Sequence, residues 1–237
     1  LATGQELEPR AYSAAPIGTN FVLAGYARSS GEVSLDPSLP ITDLQAKINA
    51  YTIGYSHSFG IAGRTASLAL LVPYADANLT GNVEGKPGQA YRAGLSDIRF
   101  RFAVILLGGP ALTPEQFARR SPRTSLGASL SVVAPTGQYV PSRLINVGTN
   151  RWAFKPEIGL SQPIGDWFVE ATAGVWIFTD NNNFFNGRRR SQDPIPVLQW
   201  HAGYSWRPSL WLAADATFYT GGRTSVNGVE NQDLQRT

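Results

Sequence analysis

Among 237 residues with 2 histidines and no cysteine, the pair best suited to chemistry is His201 and Asp215. Each lies in an alternating stretch, residues 195–206 and 210–220, joined at Arg207-Pro208-Ser209. Matching the apolar faces across that turn sets Trp206 against Leu210, Tyr204 against Leu212 and Ala202 against Ala214. His201 then falls directly opposite Asp215 on the polar face. A histidine oriented by a carboxylate is how a general base is held, but no serine nucleophile or second acid has a forced place beside this one. The better-supported reading is a hydrogen-bonded pair lining a wall, so no catalytic residue and no enzyme activity is assigned. The other histidine, His57, sits near a strand end.

Asp97, Arg99, Arg101, Lys155, Glu157 and Glu170 project to the same side as His201 and Asp215. They form either a charged constriction that sets which solutes pass, or a self-neutralising filling of the lumen. Arg188-Arg189-Arg190 stands in a long polar loop, where guanidinium groups suit lipopolysaccharide phosphates. Its neighbours Phe184 and Phe185 either fold inward or face a partner. With no cysteine, no clustered metal ligands, no phosphate loop and no dinucleotide motif, neither a metal nor another cofactor is expected.

The element that positions these groups is a hairpin over residues 151–179. Trp167, Val169, Ala171, Ala173, Val175 and Ile177 fall on one face, and Phe168, Glu170, Thr172, Gly174, Trp176 and Phe178 on the other. Ile158, Leu160 and Ile164 continue the apolar face; Lys155, Glu157, Gly159 and Ser161 continue the polar one. A turn at Gly165-Asp166 pairs Ile164 with Trp167, Ile158 with Ala173, Leu160 with Ala171 and Ser161 with Glu170. A one-residue slip would put Glu170 among apolar residues, so the register is specified.

Further strands are expected at residues 20–28, 45–59, 64–74, 92–107 and 124–134, with one or two helical turns in TPEQFARR capped at Thr113. No run approaches the ~20 apolar residues of a membrane helix, so any span must be made of strands. Short turns alternate with long polar connections, including residues 29–42, 75–91, 135–150 and 180–194. Aromatics stand at both strand ends: Phe59, Trp167, Trp206 and Trp211 near the short turns, and Tyr26, Tyr74, Phe178 and Phe218 near the long loops. This is the pattern of an all-β, antiparallel up-and-down transmembrane β-barrel of the outer membrane, with its apolar face toward lipid and its short turns toward the periplasm. The absence of methionine points to a removed signal peptide, with residues 1–10 as a mature or trimmed start. The net charge of +3 is spread along the chain and does not suggest nucleic acid.

Nine strands leave two open edges, which hydrocarbon does not tolerate, and bacterial barrels have an even count. The single domain, residues 1–237, is therefore expected to be closed by further C-terminal strands, by another copy of itself or by a partner chain.

Particular motifs carry a resemblance: LEPRAYSAAPIGTNFVLAGY (7–26), GGPALTPEQF (108–117), INVGTNRWAFKPEIGLSQPIG (145–165), FTDNNNFF (178–185), QDPIPVLQWHAGY (192–204) and YTGGRTSVNG (219–228). Together they resemble the bacterial family of outer-membrane transporters labelled for the MetA-pathway of phenol degradation. The resemblance implies a signal-bearing barrel of about twelve strands, consistent with the parity rule. It also implies uptake of small apolar or aromatic solutes. The alternative is a closed-lumen structural or binding barrel that scaffolds surface loops or partners.

Overall fold

The computed structural model describes residues 11–32, 41–207 and 210–230. The expected start at residues 1–10, the middle of the first connection and the Pro208-Ser209 turn lie outside the described residues. The strands are β1 (Asn20–Glu32), β2 (Ile41–Ile61), β3 (Arg64–Val83), β4 (Lys86–Leu95), β5 (Ile98–Leu107), β6 (Ser125–Ala134), β7 (Ala153–Ile164), β8 (Trp167–Phe178), β9 (Asn181–Phe184), β10 (Arg188–Gln192), β11 (Ile195–Arg207), β12 (Leu210–Tyr219), β13 (Thr224–Val226) and β14 (Val229–Glu230). The main sheet runs β1-β2-β3-β5-β6-β7-β8-β11-β12, all antiparallel, with β4 beside the upper part of β3. Because β4 and β5 pair with successive parts of β3, they share one place in the wall, and the sheet has nine such places. It curves into a half-barrel. Among the described residues β1 and β12 do not pair with each other, so both edges are open.

The hairpin register is as expected, with Ile158↔Ala173, Leu160↔Ala171, Ser161↔Glu170 and Ile164↔Trp167. Along β7 and β8 the polar side is the covered one. Lys155, Glu157, Ser161 and Glu170 are buried, whereas Ile158, Leu160, Ile164, Trp167 and Val169 are exposed. A water-soluble domain does the reverse; this wall keeps its charges inside the curve and turns its apolar side outward.

The same strands invert their polarity partway up. On β3 the outward residues are Leu68, Leu70, Val72 and Tyr74, and above them Asp76, Asn78, Thr80 and Asn82. On the inward side of that upper part, Ala77 and Leu79 pack with Leu44 and Ala46 of β2 into an apolar cluster that Ile145 also joins. The change falls at one level. Tyr26, Tyr51 and Tyr74 lie side by side across three strands, and immediately above them Tyr26 donates to Asn49 and Asn49 to Asp76. From Tyr74 to Arg64, ten residues at about 3.3 Å each and a tilt of about 40° give roughly 25 Å, the height of the apolar band of a membrane barrel. Below the tyrosines the wall is patterned for hydrocarbon, above them for water.

The structure corrects several expectations. Residues 75–91 are not a loop: β3 and β4 continue as paired arms to a tight turn at Glu84-Gly85, both with positive φ. The outward positions of the stretch are polar apart from Pro87 and Tyr91, because it stands above the apolar band, and its alternation persists. Residues 180–194 likewise contain β9 and β10, which join β13 and β14 in a four-stranded sheet. Phe178 and Trp211 do not belong to the outward aromatic belts. Their positions put them on the inner face, where Phe178 joins the cluster around Trp176 and Trp211 packs edge-on against Phe168. Trp152 stands outward at the level of Phe178, stacked with Phe154. At the last turn Arg207 opposes Leu210, because the β11–β12 register shifts between Ser205 and Arg207. The expected helical turn is present as α1 (Pro114–Ala118), with a reciprocal Thr113–Gln116 capping box.

Candidate functional site

The concave face is not empty: residues 11–19 run across it. Tyr12 is 1% exposed, and its ring lies where two glycines face each other on β6 and β7. A Cβ at Gly127 would come within 2.4 Å of the ring, and one at Gly159 within 2.1 Å. Only glycine lets a backbone lie this close to an aromatic ring. The Tyr12 hydroxyl donates to Glu157 Oε1 at 2.8 Å and lies 2.8 Å from Ser129 Oγ, and the Arg101 guanidinium sits 5.3 Å from the ring centre. Ser125 donates to the Tyr12 carbonyl at 2.7 Å, and Ser13 donates to Glu170 at 3.3 Å. The segment is also tied to the short-turn end, where Ile17 N donates to Leu112 O and Gly18 N to Ser58 O. A hollow of about 250 Å³ bounded by Ser13, Ser58 and Ile105 lies on one side of it. Another of about 450 Å³, bounded by Phe117, Arg120, Phe168 and Trp206, opens at the short-turn end.

The charged residues read from the sequence divide by level. Arg101, Ser131 and Lys155 form one row across β5, β6 and β7, with Arg99 two residues nearer the long-loop end. One step nearer the short turns, Glu157 pairs with Lys155 at 3.2 Å, and Lys155 Nζ lies 5.4 Å from the Trp176 ring centre. Lower again, Ser125, Ser161, Glu170, His201 and Asp215 line up across five strands. Lys155, Glu157, Glu170 and His201 are buried, and His201 Nδ1 is hydrogen-bonded to Asp215. Among the described residues the hydrogen bond at the His201 ring is the one with Asp215, with no hydroxyl beside it. The described residues hold no group of three or more acids and histidines that could hold a metal.

Asp97, expected on the lumen wall with the others, is placed apart from them. It sits at the break between β4 and β5, where the interrupted wall strand brings its carboxylate to the loop at 135–149. There it accepts from Gly137 N at 2.9 Å and from Thr149 N and Oγ1 at 2.8 and 2.6 Å. It pins that loop over the wall. Phe184 is buried with the Arg190 guanidinium 5.4 Å from its ring centre, and Phe185 is half-buried beneath Arg188. Arg189 is exposed and paired with Asp180.

The profile of the family described as "Putative MetA-pathway of phenol degradation" matches residues 26–237. The chain belongs to this family. Among solved structures it is similar to the crystal structure of the COG4313 outer membrane channel from Pseudomonas putida F1. The TM-score is 0.77 at 21% identity, over 97% of this chain and 82% of that one. That likeness is one of fold, an antiparallel transmembrane-type β-barrel wall. No curated protein matches the chain.

In this family member the sequence reading missed Tyr12 and its two glycines, since residues 11–19 carry no periodicity. A signal was present nonetheless. Gly127 and Gly159 both occupy inward positions of otherwise regular strands, and they become opposite neighbours once β6 and β7 are paired. Glycines facing each other inside a sheet mark a close approach by another part of the chain.

Proposed function

We propose that the protein is a channel of the bacterial outer membrane that admits small apolar or aromatic solutes through the hollow inside the curved sheet. The observation that carries this reading is the polarity inversion at Tyr26, Tyr51 and Tyr74. It gives the wall a lipid-facing band of the right height, with buried charges on the opposite side. The barrel fold, shared with a protein that is an outer membrane channel, supports it. Short turns then face the periplasm, and the paired upper arms face the medium. Exposed Arg188 and Arg189 suit the phosphates of lipopolysaccharide there.

A second reading, a barrel with a closed lumen, draws on the seated Tyr12 segment. Flux separates the two. Full-length protein in liposomes is expected to admit benzyl alcohol faster than protein-free liposomes do, and a protein that inserts and never passes solute or current contradicts the channel reading. His201 and Asp215 line the passage in this account, with Asp215 holding the ring in place.

A further inference from the structure

The inner wall is cationic toward the long-loop end and anionic toward the short turns. Arg151, immediately before β7, heads the cationic part. Its guanidinium carbon lies 4.3 Å from the centre of the Phe178 ring, and its Nη2 donates to Gln192 Oε1. Its Nη1 is buried and has no hydrogen-bond partner among the described residues. Arg190 lies two residues from Gln192 on β10, hence on the same side of that strand, and covers Phe184. Burial, and then the neighbouring charge of Arg190, push the Arg151 guanidinium down to about 10, against the opposite pull of Asp97 and Asp180. Those carboxylates are already engaged, Asp97 by the loop it pins and Asp180 by Arg189. A buried donor without an acceptor costs free energy, and an anion supplying one removes that cost.

The surroundings say what the anion is attached to. Flat rings accompany both guanidinium groups, Phe178 against Arg151 and Phe184 against Arg190, with Trp176 stacked beside Phe178 at 6.3 Å. A lipid phosphate would meet the exposed Arg188 and Arg189 first, whereas Arg151 lies on the inner side against Phe178. The carboxylates lower in the hollow are each bonded, Glu157 to Lys155 and Tyr12, Glu170 to Ser13 and Asp215 to His201. Their repulsion of an incoming anion is accordingly weakened.

We propose that Arg151 and Arg190 form, at the long-loop end of the hollow, a subsite for the carboxylate of a small aromatic acid whose ring packs beside Phe178. The subsite narrows the solute class of the channel reading and rests on it for its place along a passage; the binding itself can be measured apart from flux.

The test is isothermal titration of the full-length protein in detergent micelles with benzoate, with inorganic phosphate as the ring-less anion. Benzoate is expected to bind, and phosphate to give no heat at the same concentration. Removing a charge-assisted bond by Arg151→Gln is expected to weaken benzoate about tenfold or more. Arg190→Gln, a second variant in case the first misfolds, is expected to weaken it several-fold. Unchanged benzoate affinity in the folded variants, or phosphate binding as well as benzoate, overturns the proposal. Benzyl alcohol flux in liposomes keeps the two readings apart. Flux without benzoate binding defeats the subsite and leaves the channel, while benzoate binding without flux supports the subsite and defeats the channel.

Discussion

Gly159→Val is expected to drive Tyr12 off the wall and raise single-channel conductance several-fold, with the barrel still folded. A Cβ at Gly159 would stand 2.1 Å from the Tyr12 ring, so one of the two must move. β7 is held along both sides by ladders to β6 and β8, whereas Tyr12 is held by its packing and a few hydrogen bonds. The segment is the side that yields. Loss of a buried aromatic side chain from its seat costs about 3–5 kcal/mol, and that cost falls on the segment rather than the wall. Gly159 is not among the positive-φ glycines, and a β-branched residue suits a strand, so valine does not strain β7 itself. Conductance in planar bilayers reads the outcome, with heat-modifiable migration on gels reporting the fold. Conductance equal to that of the unaltered protein would mean that residues 11–19 do not limit the passage.

The second large effect belongs to the outer face. Ile158 is exposed, lies opposite Ala173 and stands about midway along β7 and β8. Ile158→Arg is expected to destabilise the protein in lipid vesicles by about 2–4 kcal/mol, the cost of a charge at the middle of the apolar band. Asn78→Arg, also outward but above the tyrosine row, is expected to change stability by less than about 0.5 kcal/mol, as for an ordinary surface position. Equilibrium unfolding by urea in vesicles compares the two. Equal costs would place both residues in the same solvent.

Much of the wall was legible in the sequence because strict alternation fixes which residues share a face, and a charged residue on one face fixes the register. Glu170 did this for β7 and β8, and matched apolar faces did it for His201 and Asp215. The charged interior was legible for the same reason; alternation could not show that Asp97, beside the interruption of its strand, is bonded to the loop at 135–149. The upper arms of β3 and β4 were hidden because the expected signal was an outward apolar residue at every second position. Above Tyr74 water replaces hydrocarbon, and the outward positions become Asp76, Asn78, Thr80 and Asn82. The Tyr12 segment was hidden for another reason. It forms no strand, and its place is set by contacts to residues more than a hundred positions away. Phe178 was legible on the polar face by alternation, but Arg151 lies just before β7, outside the alternating stretch, and only the folded chain sets it against that ring.

The solvent that touches the outward side of β3 at each height decides the membrane assignment. The chain has no cysteine, so single cysteines at Leu68, Leu70, Asp76 and Asn78 can each carry a spin label without interference. Relaxation by oxygen and by a water-soluble nickel chelate, measured in lipid vesicles, is predicted to switch between Leu70 and Asp76. Labels at 68 and 70 should meet oxygen and exclude the chelate, while those at 76 and 78 should meet the chelate. Chelate access at 68 and 70 as high as at 78 would place that side of the sheet in water and contradict the membrane assignment.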